Sequence, residues 1–213
     1  MYDDKHIKTS SKNSSNTKEK SKNFVGRFKE YNKILSIDAI ARRYIAMNGF
    51  DGVLAILGIV ISSFIAGIVD VRLIISVCLG AAVAMTVSGV WGAYMTESAE
   101  RKKELKELEG SMLTRLKKTK IGRAGDFASW IIALINGAAS FIAAMIVILP
   151  FFFMPISIAY YVSFVLAFLL LFLLGMFLGR ISKDNLILSG LKMIFAGVII
   201  LIIVILLGAA GHG

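Results

Sequence analysis

Proline, cysteine and histidine are nearly missing from this chain, and charge is missing from most of its length. Only two prolines occur, Pro150 and Pro155, so little in the sequence interrupts a helix. The single cysteine, Cys78, excludes an intrachain disulfide and sits in an apolar run, where it reads as a small hydrophobe. The two histidines, His6 and His212, stand at the termini. That placement excludes an internal histidine metal cage and a histidine-dependent triad. No nucleophile is paired with a base, so the chain does not read as an enzyme. An aromatic-basic platform is also lacking, and with it the basis for nucleic-acid binding. Residues 1–49 contain no apolar stretch of the roughly 7–15 residues a signal peptide carries. The first span is therefore expected to direct insertion itself.

What is present is apolar length. Hydrophobic residues make up 57% of the chain. Charges crowd into 1–49, 97–126 and 180–192, while 127–149 and 156–179 hold none. About 20 apolar residues span a hydrocarbon core, and several tracts reach that length. The expected fold is all-α and polytopic, with five transmembrane helices near 50–69, 73–96, 127–149, 157–179 and 193–210. Asp70 and Arg72 leave only a short link, so the first two helices should form an antiparallel hairpin. Pro150 and Pro155 should mark the reversal between the third and fourth.

Lysine and arginine predict the orientation. Eleven lie in 1–49, nine in 97–126 and three in 180–192, leaving Arg72 alone on the other side. The positive-inside rule puts the N terminus in the cytoplasm and the C terminus outside. Residues 1–23 are polar and basic and read as a disordered tail, with attraction to anionic headgroups an open alternative to plain solvation. In 24–48, Phe24, Phe28, Tyr31, Ile34, Leu35, Ile37 and Ile40 recur at helical spacing among basic residues. That pattern predicts an amphipathic helix in the membrane interface. The transmembrane domain then occupies 49–213, with a charged cytoplasmic insert at 97–126.

The chemistry-bearing residues within the spans are few. Asp51 lies near the start of the first apolar run, where an ionised carboxylate costs a few kcal/mol unless it faces a partner, a cavity or an ion path. In the second span, Met85, Thr86 and Ser88 sit among glycine, alanine and serine, a composition suited to close packing on more than one side. Met85, Met95 and Met145 are either soft ligands or flexible filling. Asn136, followed by Gly137, is an amide in mid-membrane that needs a partner. Gly175-x-x-x-Gly179 reads as packing. In the insert, Glu97, Glu100, Glu104 and Glu107 fall on a helical stripe about 80° wide. Such a stripe suits a hard divalent cation, or a solvated helix with interleaved Glu–Lys pairs.

The order of these short motifs carries a resemblance. Asn48-Gly49-Phe50-Asp51-Gly52 with Gly58 and Gly67, Gly92-Ala93-Tyr94 before an acidic helix, and Ala138-Ala139-Ser140-Phe141 leading to Leu149-Pro150-Phe151 resemble the vacuolar iron transporter family over about 42–210. The lack of a signal peptide and of organelle-targeting features suggests a multi-pass protein of the cell membrane. The resemblance implies a homodimer that exports ferrous iron or manganese from the cytosol, often against protons. Its path would run between protomers, lined by the first and second helices. Asp51 matches the family's first-helix aspartate. Asp51, Met85, Thr86 and Ser88 are the expected path residues. Asp51, Met85 and the four insert glutamates are the candidate metal ligands, for a transported ion and not a resident cofactor. Ala93 stands where many members have glutamate. The alternative reading is a non-transporting membrane scaffold of the same fold.

Overall fold

The computed structural model describes residue 26 and residues 36–112 and 119–210. The expected basic tail at 1–23 lies outside the described residues, as do 24, 25 and 27–35 of the expected interfacial helix. Six helices follow in order: α1 (Ile37–Ile65), α2 (Val71–Met112), α3 (Lys120–Ile148), α4 (Pro150–Phe153), α5 (Ile156–Ser182) and α6 (Leu186–Ala210). All but α4 are long and apolar enough to cross a membrane, which gives the expected five spans of an all-α multi-pass protein.

The helices run past the apolar tracts. Residues 37–48 are continuous with the first span, and α2 continues as one helix of 42 residues into the charged insert. α6 begins at Leu186, so Lys192 lies inside it. A lysine or arginine ends an apolar run without ending a helix, because its long stem carries the charge away from the hydrocarbon. Glycine and capping do end helices. α1 stops before Gly67, whose φ of +66° needs no Cβ. Asp70 then accepts the Arg72 backbone N–H at 2.9 Å, capping α2. At the other reversal, Pro150 opens the single turn of α4 and Pro155 precedes α5. The proline link is therefore a short helical corner, with Phe151 buried against Tyr160.

α1 is the hub, in contact with α2, α3, α5 and α6. Its buried face (Val53, Ile56, Leu57, Val60) meets Ile74 and Cys78 of α2, Val147 and Ile148 of α3, and Leu171 of α5. α2 lies mainly along α3 and only lightly against α1, while α6 lies mainly along α5. Small residues set these approaches, since lipid offers helices no hydrophobic drive to associate. A methyl at Gly52 would come within 2.6 Å of the Ser140 carbonyl oxygen, and one at Gly175 within 2.5 Å of that of Ser189. Gly175 and Gly179 thus serve the α5–α6 packing that their spacing suggests.

Aromatic rings mark two levels. Tyr94 and Trp130 stack with centroids 4.5 Å apart, beside Trp91, toward the insert end. Phe64, Phe151 and Phe164 surround Tyr160 at the hairpin end. From Arg72 to Tyr94, α2 rises about 33 Å, close to the ~30 Å of hydrocarbon such girdles flank.

Gly137 is where α2 and α3 come closest: a Cβ there would meet Val90 and lie 2.8 Å from the Thr86 carbonyl oxygen. Gly137→Ala should destabilise the bundle by about 1–3 kcal/mol. Gly80→Ala, with nothing within 4 Å of its Cβ, should leave the detergent melting temperature unchanged. Equal melting of the two variants would contradict this packing.

Candidate functional site

Tyr44, Asn48 and Asp51 are spaced by four and three, and so share one face of α1. Asn48 donates its amide to the Tyr44 carbonyl at 3.3 Å. Asp51 lies one further turn into the span, about 10 Å along the axis from Tyr44. Its side chain is exposed on the single chain and opens into a cleft of about 390 Å³. The cleft is lined by Asn48 and Asp51 of α1, Ala84, Met85, Ser88 and Gly89 of α2, and Ser140 of α3.

A node of close backbone approaches holds these three walls. Gly52, next to Asp51, lets α1 press on Ser140, and Gly137 lets α3 press on Thr86 and Val90. Between them Asn136 is 4% exposed and donates Nδ2 to the Gly89 carbonyl at 2.8 Å. This is the partner a mid-membrane amide requires. Gly89 itself has no side chain to obstruct it; a Cβ there would lie 3.3 Å from Nδ2.

Of the expected path residues, Asp51, Met85 and Ser88 are brought together. Thr86 is not among the lining residues; its hydroxyl donates to the Ala82 carbonyl of its own helix at 2.7 Å. Asn48, Gly89 and Ser140 join the cleft without having been expected there. Asn48 was legible as the residue one turn before Asp51, and Ser140 as the residue one turn after Asn136. Met145 packs on the core and Met95 is exposed on α2; neither lines the cleft. Ala93 is buried in the bundle, so a side chain at that position does not address the cleft. The lining donor set is one carboxylate, one thioether, two hydroxyls and one amide. That mixture suits a borderline divalent ion better than a soft monovalent or a fully hydrated hard one.

The insert glutamates are divided. Glu97 is buried, accepts the Tyr44 hydroxyl at 3.1 Å and lies 3.8 Å from the Arg101 guanidinium. Arg101 also pairs with Glu104 at 2.9 Å. Glu100, Glu104 and Glu107 face solvent. Among the described residues no three His, Cys, Asp or Glu side chains converge on a common point. Glu97 instead ties α1 to α2 through Tyr44, and Arg101 packs on Gly125 of α3.

Arg101→Met should therefore cost about 3–5 kcal/mol, because it leaves the Glu97 carboxylate buried beside no cation. Glu104→Ala, on the half-exposed side of the same guanidinium, should cost under about 1 kcal/mol. Thermal unfolding in detergent compares them, and an equal effect would show that burial of Glu97 carries no electrostatic demand.

Comparison with known proteins adds two observations. A family profile described as the VIT family matches residues 111–209, the stretch from the end of α2 through α6. An uncharacterised protein of Methanocaldococcus jannaschii is 35% identical over 155 residues, which cover 71% of this chain and 80% of the relative. Five apolar helices, their order and these matches agree: the chain is a multi-pass membrane protein and belongs to the VIT family, a family of transporters and not of enzymes.

Proposed function

We propose that this protein moves a divalent transition metal, ferrous iron or manganese, out of the cytosol across the cell membrane. The observation that carries the reading is the shared cleft: Asp51 meets Met85 and Ser88 across the α1–α2 groove. A dication entering hydrocarbon must exchange water for protein ligands. Asp51 supplies charge, Met85 a polarisable sulfur, and Ser88, Ser140 and Asn48 neutral oxygens. The negative charge left after the ion departs is relieved by a proton, which is the physical basis for exchange against protons.

The working form in this reading is a homodimer. α2 leaves Val83, Val87, Trp91 and Met95 exposed, and the chain neighbours Ala84 and Ser88 line the cleft with the exposed Asp51. Lipid is a poor neighbour for a carboxylate. A second copy seated on the same face would cover it and bring two Asp51 residues to one path. The charged end of the bundle faces the cytoplasm, in keeping with the distribution of lysine and arginine.

Asp51→Asn should abolish manganese and iron(II) flux into proteoliposomes while the purified protein keeps its elution volume. Undiminished flux would end the proposal, and a wild-type protein that neither transports nor binds metal would favour the scaffold alternative. Light scattering in detergent should give twice the 23.2 kDa chain mass; a monomer at that mass would remove the two-copy path.

A further inference from the structure

We propose that Asn136 is a positioning residue for the transported ion, holding the cleft wall with its amide nitrogen and a cargo water with its amide oxygen. The inference rests on the transport reading above, and adds to it a residue outside the cleft's own lining. The nitrogen's role is fixed by geometry. The Gly89 carbonyl can only accept a hydrogen bond, so the atom 2.8 Å from it is Nδ2 and Oδ1 points elsewhere. Among the described residues Oδ1 has no hydrogen-bond partner, although it is fully buried. An amide oxygen left so in a membrane interior costs about 1–3 kcal/mol. A helix clamp alone does not call for it, since a hydroxyl donor would hold the Gly89 carbonyl without that penalty.

The surroundings say what Oδ1 serves. Gly89, its partner across the helix pair, lines the cleft, and so does Ser140, one turn along α3 on the same face. Asn136 therefore stands directly behind the wall that faces Asp51. The donor that suits a lone oxygen there is a water reaching in from the cleft. A divalent cation supplies one, because it sheds its hydration shell only in part and the waters it keeps are strongly polarised donors. Asn136 then acts on the ion through water, as outer-shell groups do at metal sites. The ligand class is a partly hydrated divalent cation.

The test titrates manganese(II) into the purified full chain in detergent, reading affinity by calorimetry and stability by melting without metal. Asn136→Leu should weaken manganese binding about 10-fold or more, the usual range for an outer-shell loss. Asn136→Asp keeps an oxygen of the same reach for the water but loses the amide donor to Gly89. It should melt below wild type yet bind manganese at least as tightly as wild type. A mere helix clamp predicts the opposite, with Asp and Leu weakening binding alike, and that result overturns the proposal. So does Asn136→Leu binding within twofold of wild type. If Asn136→Leu does not fold, Asn136→Asp decides alone: wild-type affinity or better supports the inference, and a loss of tenfold defeats it. Wild-type protein that binds no manganese, or Asp51→Asn that binds it unchanged, would instead defeat the transport reading and with it the inference. The two failures are thus told apart by which variant departs from expectation.

Discussion

A carboxylate near the start of the apolar run of a membrane-spanning helix constrains everything near it. Asp51 cannot face hydrocarbon without a penalty of a few kcal/mol, and the bundle does not bury it. The structure instead surrounds it on one side with polar groups and leaves the other side open. Producing that half-shell requires three helices to meet closely at one level. The close contacts of Gly52 with Ser140 and of Gly137 with Thr86, at 2.6 and 2.8 Å for an added methyl, achieve this. Large side chains there would push the walls apart and leave the carboxylate without its surroundings. The small residues of α1 and α3 are thus the electrostatic support of Asp51 as well as packing.

The same logic explains why α2 belongs to α3 more than to α1. A cleft that is to bind an ion, as proposed, must keep its walls in register. Asn136 and Gly137 fix α2 against α3, and Gly52 fixes α3 against α1, so Met85 and Ser88 are positioned relative to Asp51 through α3. Direct α1–α2 contact is light at this level, and the groove between them stays open. At the insert end, the buried Glu97 with Tyr44 and Arg101 closes the three-helix arrangement a second time. Glutamates that share a stripe in sequence therefore divide by depth: the innermost is structural, and the outer three are solvated.

Much of this was legible in the residues alone. Apolar length gave five spans, and the lone Asp51 marked the cleft. The amide of Asn136 called for a partner and has one in Gly89. The glycine and serine of α2 suggest packing on more than one side, yet α2 lies mainly along α3, and a Cβ at Gly80 or Gly92 would meet nothing within 4 Å. Helix ends were less legible, because Lys192, Arg123 and Asp126 interrupt apolar runs without interrupting helices. The fate of Thr86 was not legible either. A threonine in a helix can turn its hydroxyl back to the carbonyl four residues earlier, and Thr86 does so, whereas Ser88 lines the cleft. Spacing places a residue on a face, but only neighbouring helices decide which hydroxyl is left for a ligand. The glutamate stripe has the same lesson. A stripe about 80° wide is one face to a sequence reader, yet Glu97 alone lies deep enough to be buried by α1.

A second cavity bears on how an ion would pass in the proposed transport. Toward the hairpin end this cavity, about 550 Å³, lies between α1, α2 and Val204 of α6. Its walls are almost wholly apolar, with Ser62 and Ser63 the hydroxyl-bearing residues on them. An ion held at Asp51 gains a carboxylate, a thioether and several oxygens. Moved into that second cavity it would lose the charge partner and gain two hydroxyls at best. The Coulomb loss in so apolar a setting far exceeds what a pair of neutral oxygens restores. Were an ion held at Asp51 as proposed, the second cavity would block its onward path in this arrangement. Under the proposed transport, passage to the far side would require polar groups that the described residues of a single chain do not place there, whether from a second copy across the groove or from a shift of α2. The Tyr160 hydroxyl holds the α1–α2 link at Ile68, 2.9 Å away, so the hairpin end is tethered to α5. A shift of α2 would have to act against that tether and against the Gly137 contact, whereas a second copy would act against neither.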